Sequence, residues 1–150
     1  MKLIFSLLVL FSSTAFAGLS EDFDRLKNKG RDLEPVGAIC EEVAQLMFAE
    51  KYPEPSYKVV TGIEYSDEER TLGELDIIVF NNTTQNADVV AEVKCWKSAK
   101  GGLKKAIEQR KRFLTNVKSS KALKFKWLDD PKLKLAKTQF NKVLHFYSVA

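Results

Sequence analysis

The spacing of apolar residues along the chain predicts a helix followed by three strands. Residues 35–51 repeat apolar side chains, from Val36 to Met47, at helical intervals. The segments 57–65, 75–80 and 87–96 are rich in β-branched and aromatic residues and are separated by short polar stretches. The second and third of these segments are apolar on both faces. We therefore expect them to be central strands, joined as a hairpin by the polar loop between them.

The second half of the chain predicts another helix and a less regular end. Residues 103–117 place apolar side chains along one side of a helix, after a loop at residues 97–102. Residues 122–128 alternate like a strand, residues 132–140 favour a helix, and residues 143–149 favour a last strand. The order of these elements predicts one α/β domain whose mixed central sheet is flanked by helices.

The first seventeen residues have the layout of a secretory signal peptide. Met1-Lys2 gives a positive start, an apolar run follows, and Ala15-Phe16-Ala17 fits a cleavage site. The apolar run is short for a membrane span, which needs about 20 residues, and Ser12-Ser13-Thr14 interrupts it. We therefore expect export to the periplasm or the outside of the cell. The mature chain would be residues 18–150, a single domain that begins with a short helix at residues 20–30.

Charge is distributed unevenly along the mature chain. Residues 18–96 hold eight Lys or Arg against seventeen Asp or Glu, whereas residues 97–150 hold fifteen against three. Such a basic half favours an anionic partner, although a solvated basic surface would give the same counts.

The chain contains two cysteines, Cys40 and Cys95. Cys40 falls on the helix predicted at residues 35–51 and Cys95 on the third predicted strand, so contact between them is geometrically open. In an oxidising compartment they could pair as a disulfide, and buried free thiols are the alternative.

Three charged residues interrupt the two predicted central strands. Asp76 begins the apolar run of one strand, and Glu92 and Lys94 lie two positions apart on the next, so they face the same side of the sheet. A surface ion pair would explain Glu92 and Lys94 alone. Asp76 changes this interpretation, because two close carboxylates repel unless a cation lies between them. Oxygen ligands of this kind suit Mg²⁺, and a lysine beside them suits cleavage of a phosphodiester.

At these positions the chain resembles the PD-(D/E)XK nuclease superfamily, especially its Holliday-junction-resolvase-like and exonuclease-like branches. The matching residues are Gly73-Glu74-Leu75-Asp76 and, on the next strand, Glu92-Val93-Lys94. The family also carries a glutamate on the preceding helix, often four residues after a glycine, and Glu41 has that spacing. Glu42 lies nearer the apolar face of the helix and remains the alternative. The resemblance covers residues 35–113 and implies a restriction-endonuclease-like core.

The resemblance also implies a role for each residue of this set. Asp76, Glu92 and the backbone carbonyl of Val93 would bind Mg²⁺ or Mn²⁺. Lys94 would orient the attacking water and stabilise charge that develops on the phosphate. Glu41 would hold a second metal ion or a water molecule.

The helix after the lysine strand supplies the remaining candidates. Gln109 and Phe113 match a Gln and an aromatic residue four positions later, which some exonuclease-type members carry, although a solvent-facing glutamine would look the same. The resemblance places the basic residues of this region along the nucleic-acid backbone. The expected contacts are Lys97, Lys100, Lys104, Lys105, Arg110 and Arg112.

These features predict an exported metal-dependent nuclease that hydrolyses DNA with low sequence specificity, with RNA left open as a substrate. The alternative is an exported nucleic-acid-binding module on the same fold without catalytic activity, and a small exported interaction protein is a third. His145 is the only histidine in the sequence, and it falls in a predicted strand, where a structural role is the simpler interpretation. Resolvase-like relatives often dimerise, so the resemblance also allows a homodimer.

Overall fold

The structure, a computed structural model, describes residues 24–27, 36–94 and 98–149. The signal peptide expected at residues 1–17 and the candidate contact Lys97 lie outside these ranges. No helix of the described residues is both long and apolar enough to cross a membrane.

The chain divides into two compact units. The first is Met1–Arg31, of which residues 24–27 are described and are helical, within the helix expected at residues 20–30. The second unit, Asp32–Ala150, holds the elements described below.

The described part of the second unit contains two α-helices, a 3-10 helix and six strands. Helix α1 is Val36–Lys51 and helix α2 is Ala99–Lys118, and the 3-10 helix is Lys137–Phe140. The strands are β1 (Tyr57–Ser66), β2 (Thr71–Asn81), β3 (Ala87–Val93), β4 (Lys124–Trp127), β5 (Lys134–Leu135) and β6 (His145–Val149).

The six strands form one mixed sheet in the order β5-β4-β1-β2-β3-β6. Strand β3 pairs antiparallel with β2 on one side and parallel with β6 on the other. The hairpin predicted from the polar loop is confirmed, and Ile77 lies opposite Ala91 in its register. The mixed α/β class and the central places of β2 and β3 are confirmed as well. Because neighbours cover β2 on both sides and on both faces, all its residues from Leu75 to Phe80 are buried.

The two helices pack on opposite faces of the sheet. Ala44 and Phe48 of α1 share a core with Ile77, whereas Phe113 of α2 shares a core with Ile78. Ile77 and Ile78 are adjacent on β2 and both are 0% exposed, because successive side chains of a strand point to opposite faces. The site therefore lies on a strand pair enclosed by two helical layers.

The boundaries and faces of the helices differ in part from the predicted ones. Met47 is 60% exposed, although helical spacing grouped it with the apolar face of α1. Helix α2 begins at Ala99, so the loop predicted at residues 97–102 is wrong from that residue onward. The Ser98 side chain accepts a hydrogen bond from the Gly101 amide and caps the helix start. This cap explains why Gly101 and Gly102, which the sequence pattern placed in a loop, are helical.

The helix predicted at residues 132–140 is largely replaced by other structure. Lys134–Leu135 form a short edge strand, and Leu135 lies opposite Phe125 of β4. Only Lys137–Phe140 are helical, as a 3-10 turn. Pairing with the exposed edge of β4 therefore outweighs the helical spacing of this segment.

Gly73 allows a close approach of Tyr65 to the strand that carries Asp76. The two residues are partners across the β1–β2 ladder. A Cβ atom at position 73 would lie 2.9 Å from the Tyr65 Oη and 3.0 Å from its Cε1. The Tyr65 ring is 2% exposed and packs edge-on against Phe113 with 5.3 Å between ring centroids, so it has little room to move.

We expect Gly73→Ala to lower the free energy of unfolding by about 1–3 kcal/mol, which is typical of overpacking in a core. Urea denaturation measures the change. Tyr65→Phe in the same chain should recover part of the loss, because the hydroxyl oxygen is the nearest atom to the added Cβ. An unfolding midpoint for Gly73→Ala equal to that of the wild type would contradict the close approach.

Cys40 of α1 is disulfide-bonded. The other cysteine of the sequence, Cys95, lies outside the described residues and is 55 positions away. A disulfide that closes a loop of 55 positions stabilises a folded chain by about 4 kcal/mol in the chain-entropy description. The position matters for the site because Cys40 immediately precedes the candidate residue Glu41.

Reduction of the protein should therefore lower its free energy of unfolding by about 4 kcal/mol, as measured by urea denaturation with and without dithiothreitol. Cys40→Ser should show the same loss and no further response to the reductant. A free thiol at Cys40 in mass spectra of the unreduced protein would contradict the bond.

Candidate active site

Asp76, Glu92 and Lys94 meet at one end of the β2–β3 hairpin. The Lys94 Nζ lies 2.6 Å from the Asp76 Oδ2 and 3.6 Å from the Glu92 Oε2. The backbone amide of Val93 donates to the same Asp76 oxygen at 2.8 Å. Asp76 is 6% exposed and Glu92 is 3% exposed, so both carboxyl groups are almost withdrawn from water. The structure thus brings together the three residues that interrupt the central strands.

The end of β3 positions these side chains. Strand β3 ends at Val93, and the next amide, that of Lys94, donates to the Val149 carbonyl of β6 at 2.8 Å. The Lys94 Nζ also donates to the Val93 carbonyl at 2.9 Å. Val90 packs in the core beneath α2, and Glu92 follows it by two positions, so alternation turns Glu92 toward the same face. Parallel pairing with β6 therefore fixes the backbone that carries the lysine.

The surroundings of the Glu92 carboxyl group disfavour its ionised form. Burial raises the pKa of Glu92 to about 8, and the charge of Asp76 adds to the shift while Lys94 opposes it. The Glu92 Oε2 has no hydrogen-bond partner among the described residues. A buried charge with an unsatisfied oxygen costs stability unless a cation or a donor reaches it. The Lys94 ammonium, 3.6 Å from this oxygen, is the charged group that the structure places beside it.

Lys94 acts as the counter-ion of this acid pair. Burial alone would lower the pKa of Lys94, but the hydrogen bond to Asp76 and the charges of Asp76 and Glu92 outweigh it, so the pKa is raised. Lys94 is therefore a cation at neutral pH, with its ammonium group pointed between the two strands.

Two further carboxyl groups belong to the same electrostatic environment. Burial raises the pKa of Glu41 to about 7, with Asp76 and Glu74 adding to the shift and Lys94 opposing it. Burial also raises the pKa of Glu74, and the charges of Asp76 and Glu64 add to it. Glu74 was not predicted as a site residue. Its position two residues before Asp76 on the same strand is the signal that could have found it.

Glu41 and Glu42 differ in their surroundings. Glu41 is half-buried, and the charges of Asp76 and Lys94 both act on it. Glu42 is 2% exposed and ranks among the most deeply buried side chains. The coupling to Asp76 and Lys94 favours Glu41 as the residue of α1 that contributes to the site. The burial of Glu42 agrees with its predicted place nearer the apolar face of the helix.

One side of α2 forms a wall beside Lys94. A cavity of about 400 Å³ is lined by Lys94 and four α2 residues, which are Lys105, Glu108, Gln109 and Arg112. Gln109, which the resemblance suggested, thus shares a cavity with Lys94. Phe113 is 1% exposed and belongs to the core beneath the helix. Of the two residues that match the family pattern, Gln109 therefore lines the cavity and Phe113 packs in the core.

The predicted contacts to a nucleic-acid backbone lie on three sides of α2. Lys105 and Arg112 line the cavity beside Lys94. Lys100 and Lys104 lie together on another side. Arg110 lies on a third side, with its guanidinium over an aromatic ring of β6. Of these five residues, Lys105 and Arg112 adjoin the candidate site.

The donors present at the site suit a hard divalent cation. Asp76 and Glu92 provide carboxylate oxygens and Val93 provides a carbonyl, and the Glu92 Oε2 accepts no hydrogen bond from the described residues. No group of three or more His, Cys, Asp or Glu side chains among the described residues is already arranged to hold a metal ion. The fit is therefore that of two carboxylates and a carbonyl. Mg²⁺ commonly completes such a partial set with water.

Comparison of the chain with known proteins gives no match to a family model, a curated protein or a solved structure. The superfamily resemblance therefore depends on the residues of the site and on the order of the surrounding elements.

Proposed function

We propose that this chain is a metal-dependent nuclease of the PD-(D/E)XK superfamily, with a restriction-endonuclease-like core, that hydrolyses phosphodiester bonds of DNA. The meeting of Asp76, Glu92 and Lys94 at the end of a buried hairpin carries the proposal, because this combination is costly to a fold that does not use it. The order helix, three antiparallel strands and helix supports it, with Glu41 on the first helix and Gln109 on the second.

Each residue of the site would have its own role in such a reaction. Asp76, Glu92 and the Val93 carbonyl would hold Mg²⁺ or Mn²⁺, and the ion would supply Lewis-acid stabilisation of the phosphate. The Lys94 ammonium is 2.6 Å from Asp76, so it can donate to a water or a phosphate oxygen that binds beside that carboxylate. Gln109 lines the same cavity as Lys94 and can position the same groups from α2.

The surroundings of the site indicate how the substrate would be held. Lys105 and Arg112 are exposed cations on the wall beside Lys94, where they can contact the sugar–phosphate backbone without reading sequence. The signal-peptide pattern of residues 1–17 suggests export to the periplasm or beyond. Export would keep a nuclease of low specificity away from the chromosome of its own cell.

Digestion of a supercoiled plasmid tests the proposal. Residues 18–150, incubated with Mg²⁺ or Mn²⁺, should nick or linearise the plasmid. EDTA should stop the reaction, and excess Mg²⁺ should restore it. Intact plasmid, intact single-stranded DNA and intact RNA under both metals would refute catalysis.

A nucleic-acid-binding module on the same fold is the second candidate. The observation that favours it is the 2.6 Å ion pair between Lys94 and Asp76, which compensates a carboxylate without a metal ion. This candidate predicts DNA binding that weakens steeply with salt and is never followed by turnover.

A further inference from the structure

A second cleft flanks α2 on a different side from the Lys94 cavity. It has a volume of about 880 Å³ and lies between the C-terminal half of α2, the 3-10 helix and the start of β6. Its basic residues are Arg110, Lys118 and Lys137, and its aromatic residues are Phe140 and Phe146. None of the described residues that line it is Asp or Glu. It has no lining residue in common with the Lys94 cavity.

The basic residues of the cleft point to an anionic ligand. The Lys137 Nζ donates to the carbonyl oxygens of Ser119 and Lys121 at 2.5 and 2.8 Å, which holds this cation in place at the end of α2. Arg110 and Lys118 are exposed and extend the positive charge along the helix. Three cations without a carboxylate in the lining suit phosphate, which accepts hydrogen bonds from both arginine and lysine.

The apolar residues of the cleft point to a flat group attached to that anion. Phe146 lies beneath the Arg110 guanidinium, which is 5.0 Å from the centre of its ring. Phe140 is 2% exposed and packs in the core beneath the cleft, whereas Leu144 is 65% exposed and gives the cleft an accessible apolar surface. A nucleotide combines a phosphate with a base whose faces are apolar, so the phosphate matches the cations and the base matches the exposed Leu144 and the Arg110 guanidinium.

We infer that this cleft binds a single strand of nucleic acid outside the active site. Arg110 and Lys118 contact phosphates, and a base packs against the apolar residues between them. The inference rests on the proposed function, because it gives that nuclease a second contact with its substrate. Gln109 and Lys118 are about 14 Å apart along the axis of α2, a length that about four stacked nucleotides span. Because nine residues are about two and a half helical turns, the two lie on opposite sides of α2, so a strand that contacts both must also cross the helix.

Binding of a ten-residue oligothymidylate, measured in EDTA by fluorescence anisotropy, tests this inference. Arg110→Gln combined with Lys118→Gln should weaken binding at least about tenfold and reduce the salt slope by about 1.4, since each phosphate contact on a single strand contributes about 0.7. Lys111→Gln combined with Lys132→Gln removes the same charge from exposed positions outside the cleft and is the matched control. An abasic strand of the same length should bind more weakly, because it has no base to pack.

Methyl NMR of the complex locates the strand. The largest shifts should occur in the cleft, at Leu114, Val117, Val143 and Leu144, and not on the outer side of α2 at Leu103 and Ile107. Equal affinity of the double variant and its control, or shifts centred on Leu103 and Ile107, would overturn the inference. Displacement of the strand by dodecyl phosphate but not by thymidine monophosphate would overturn it as well.

The readouts separate this inference from the proposed function. EDTA suppresses metal chemistry, so binding is measured independently of cleavage. A protein that binds the strand in the cleft but never cuts it keeps the inference and loses the nuclease. If the protein cuts DNA but the cleft variants bind like the control, the nuclease proposal is kept and this inference is lost.

Discussion

Lys94→Met should reduce the rate of plasmid cleavage by about 10²–10³-fold, as expected when one preorganised donor to a developing charge is removed. The Lys94 ammonium is the cation that contacts Asp76 at 2.6 Å, and it lies 3.6 Å from Glu92. Methionine keeps the unbranched shape of the side chain and removes its terminal ammonium group. Lys94→Arg should also fall well below the wild type, because a planar guanidinium cannot replace a compact ammonium held between Asp76 and the Val93 carbonyl. Initial rates of nicking at saturating Mg²⁺ measure both losses.

The matched control for this change is Lys111→Met. Lys111 is exposed on the same helix that walls the cavity, but it faces another side of α2. It should cut DNA at a rate close to that of the wild type. A catalytic role for Lys94 also requires that the Kd for DNA in EDTA changes little while kcat falls. Cleavage by Lys94→Met within about threefold of the wild-type rate, a difference well under 1 kcal/mol in the barrier, would contradict the assignment.

The hairpin that carries the site was predictable because its signal is local. Buried strands read as continuous apolar runs, and Asp76 and Glu92 stand out in those runs whatever the rest of the fold does. The two-residue spacing of Glu92 and Lys94 determines a shared face without any tertiary information. Pairing of the two strands needed only a polar loop of suitable length. The trio and its hairpin therefore follow from sequence patterns of fewer than thirty residues.

The walls of the site were less predictable because they depend on packing between distant segments. The spacing of Arg110 and Arg112 does not determine which of them lies beside Lys94, because that depends on the orientation of α2 about its own axis on the sheet. Glu74 joins the acid group because the charges of Asp76 and Glu64 act on it, although its place in the sequence is that of an ordinary strand residue. Within the segment at residues 132–140, Lys134–Leu135 become an edge strand because β4 offers unpaired backbone groups. These outcomes require the folded sheet and could not be read from periodicity.

The metal-free protein should lose stability as the pH rises from 6 to 9, and Glu92→Gln should remove most of that loss. Burial, together with the charge of Asp76, raises the pKa of Glu92 to about 8, above its ordinary value of 4.5. The folded state thus holds this proton more tightly than the unfolded chain does. The stabilisation is complete below the unfolded pKa and disappears as the pH passes through the folded one. Glu41, whose pKa is raised to about 7 mainly by burial, acts in the same direction but is only half-buried.

Urea denaturation in EDTA at pH 6, 7.5 and 9 measures this dependence. At pH 9 the Glu92→Gln protein should be more stable than the wild type by about 2 kcal/mol or more, since each pKa unit corresponds to about 1.4 kcal/mol. Glu50→Gln, an exposed glutamate of α1, is the control and should follow the wild type at every pH. A Glu92→Gln protein that is less stable than the wild type at pH 9 would show that the carboxylate is satisfied in the fold.

Mg²⁺ should act on the wild type in the opposite direction to high pH. A cation that binds the folded state stabilises it by about 2.7 kcal/mol at a hundred times its Kd, and it favours the ionised form of Glu92 that burial opposes. Glu92→Gln should gain little from Mg²⁺ and should not cleave DNA. The same substitution would then raise stability without metal and abolish activity with it. These two outcomes together are expected of a metal ligand that the fold keeps at the expense of its stability. A purely structural Glu92–Lys94 ion pair predicts a destabilised variant instead.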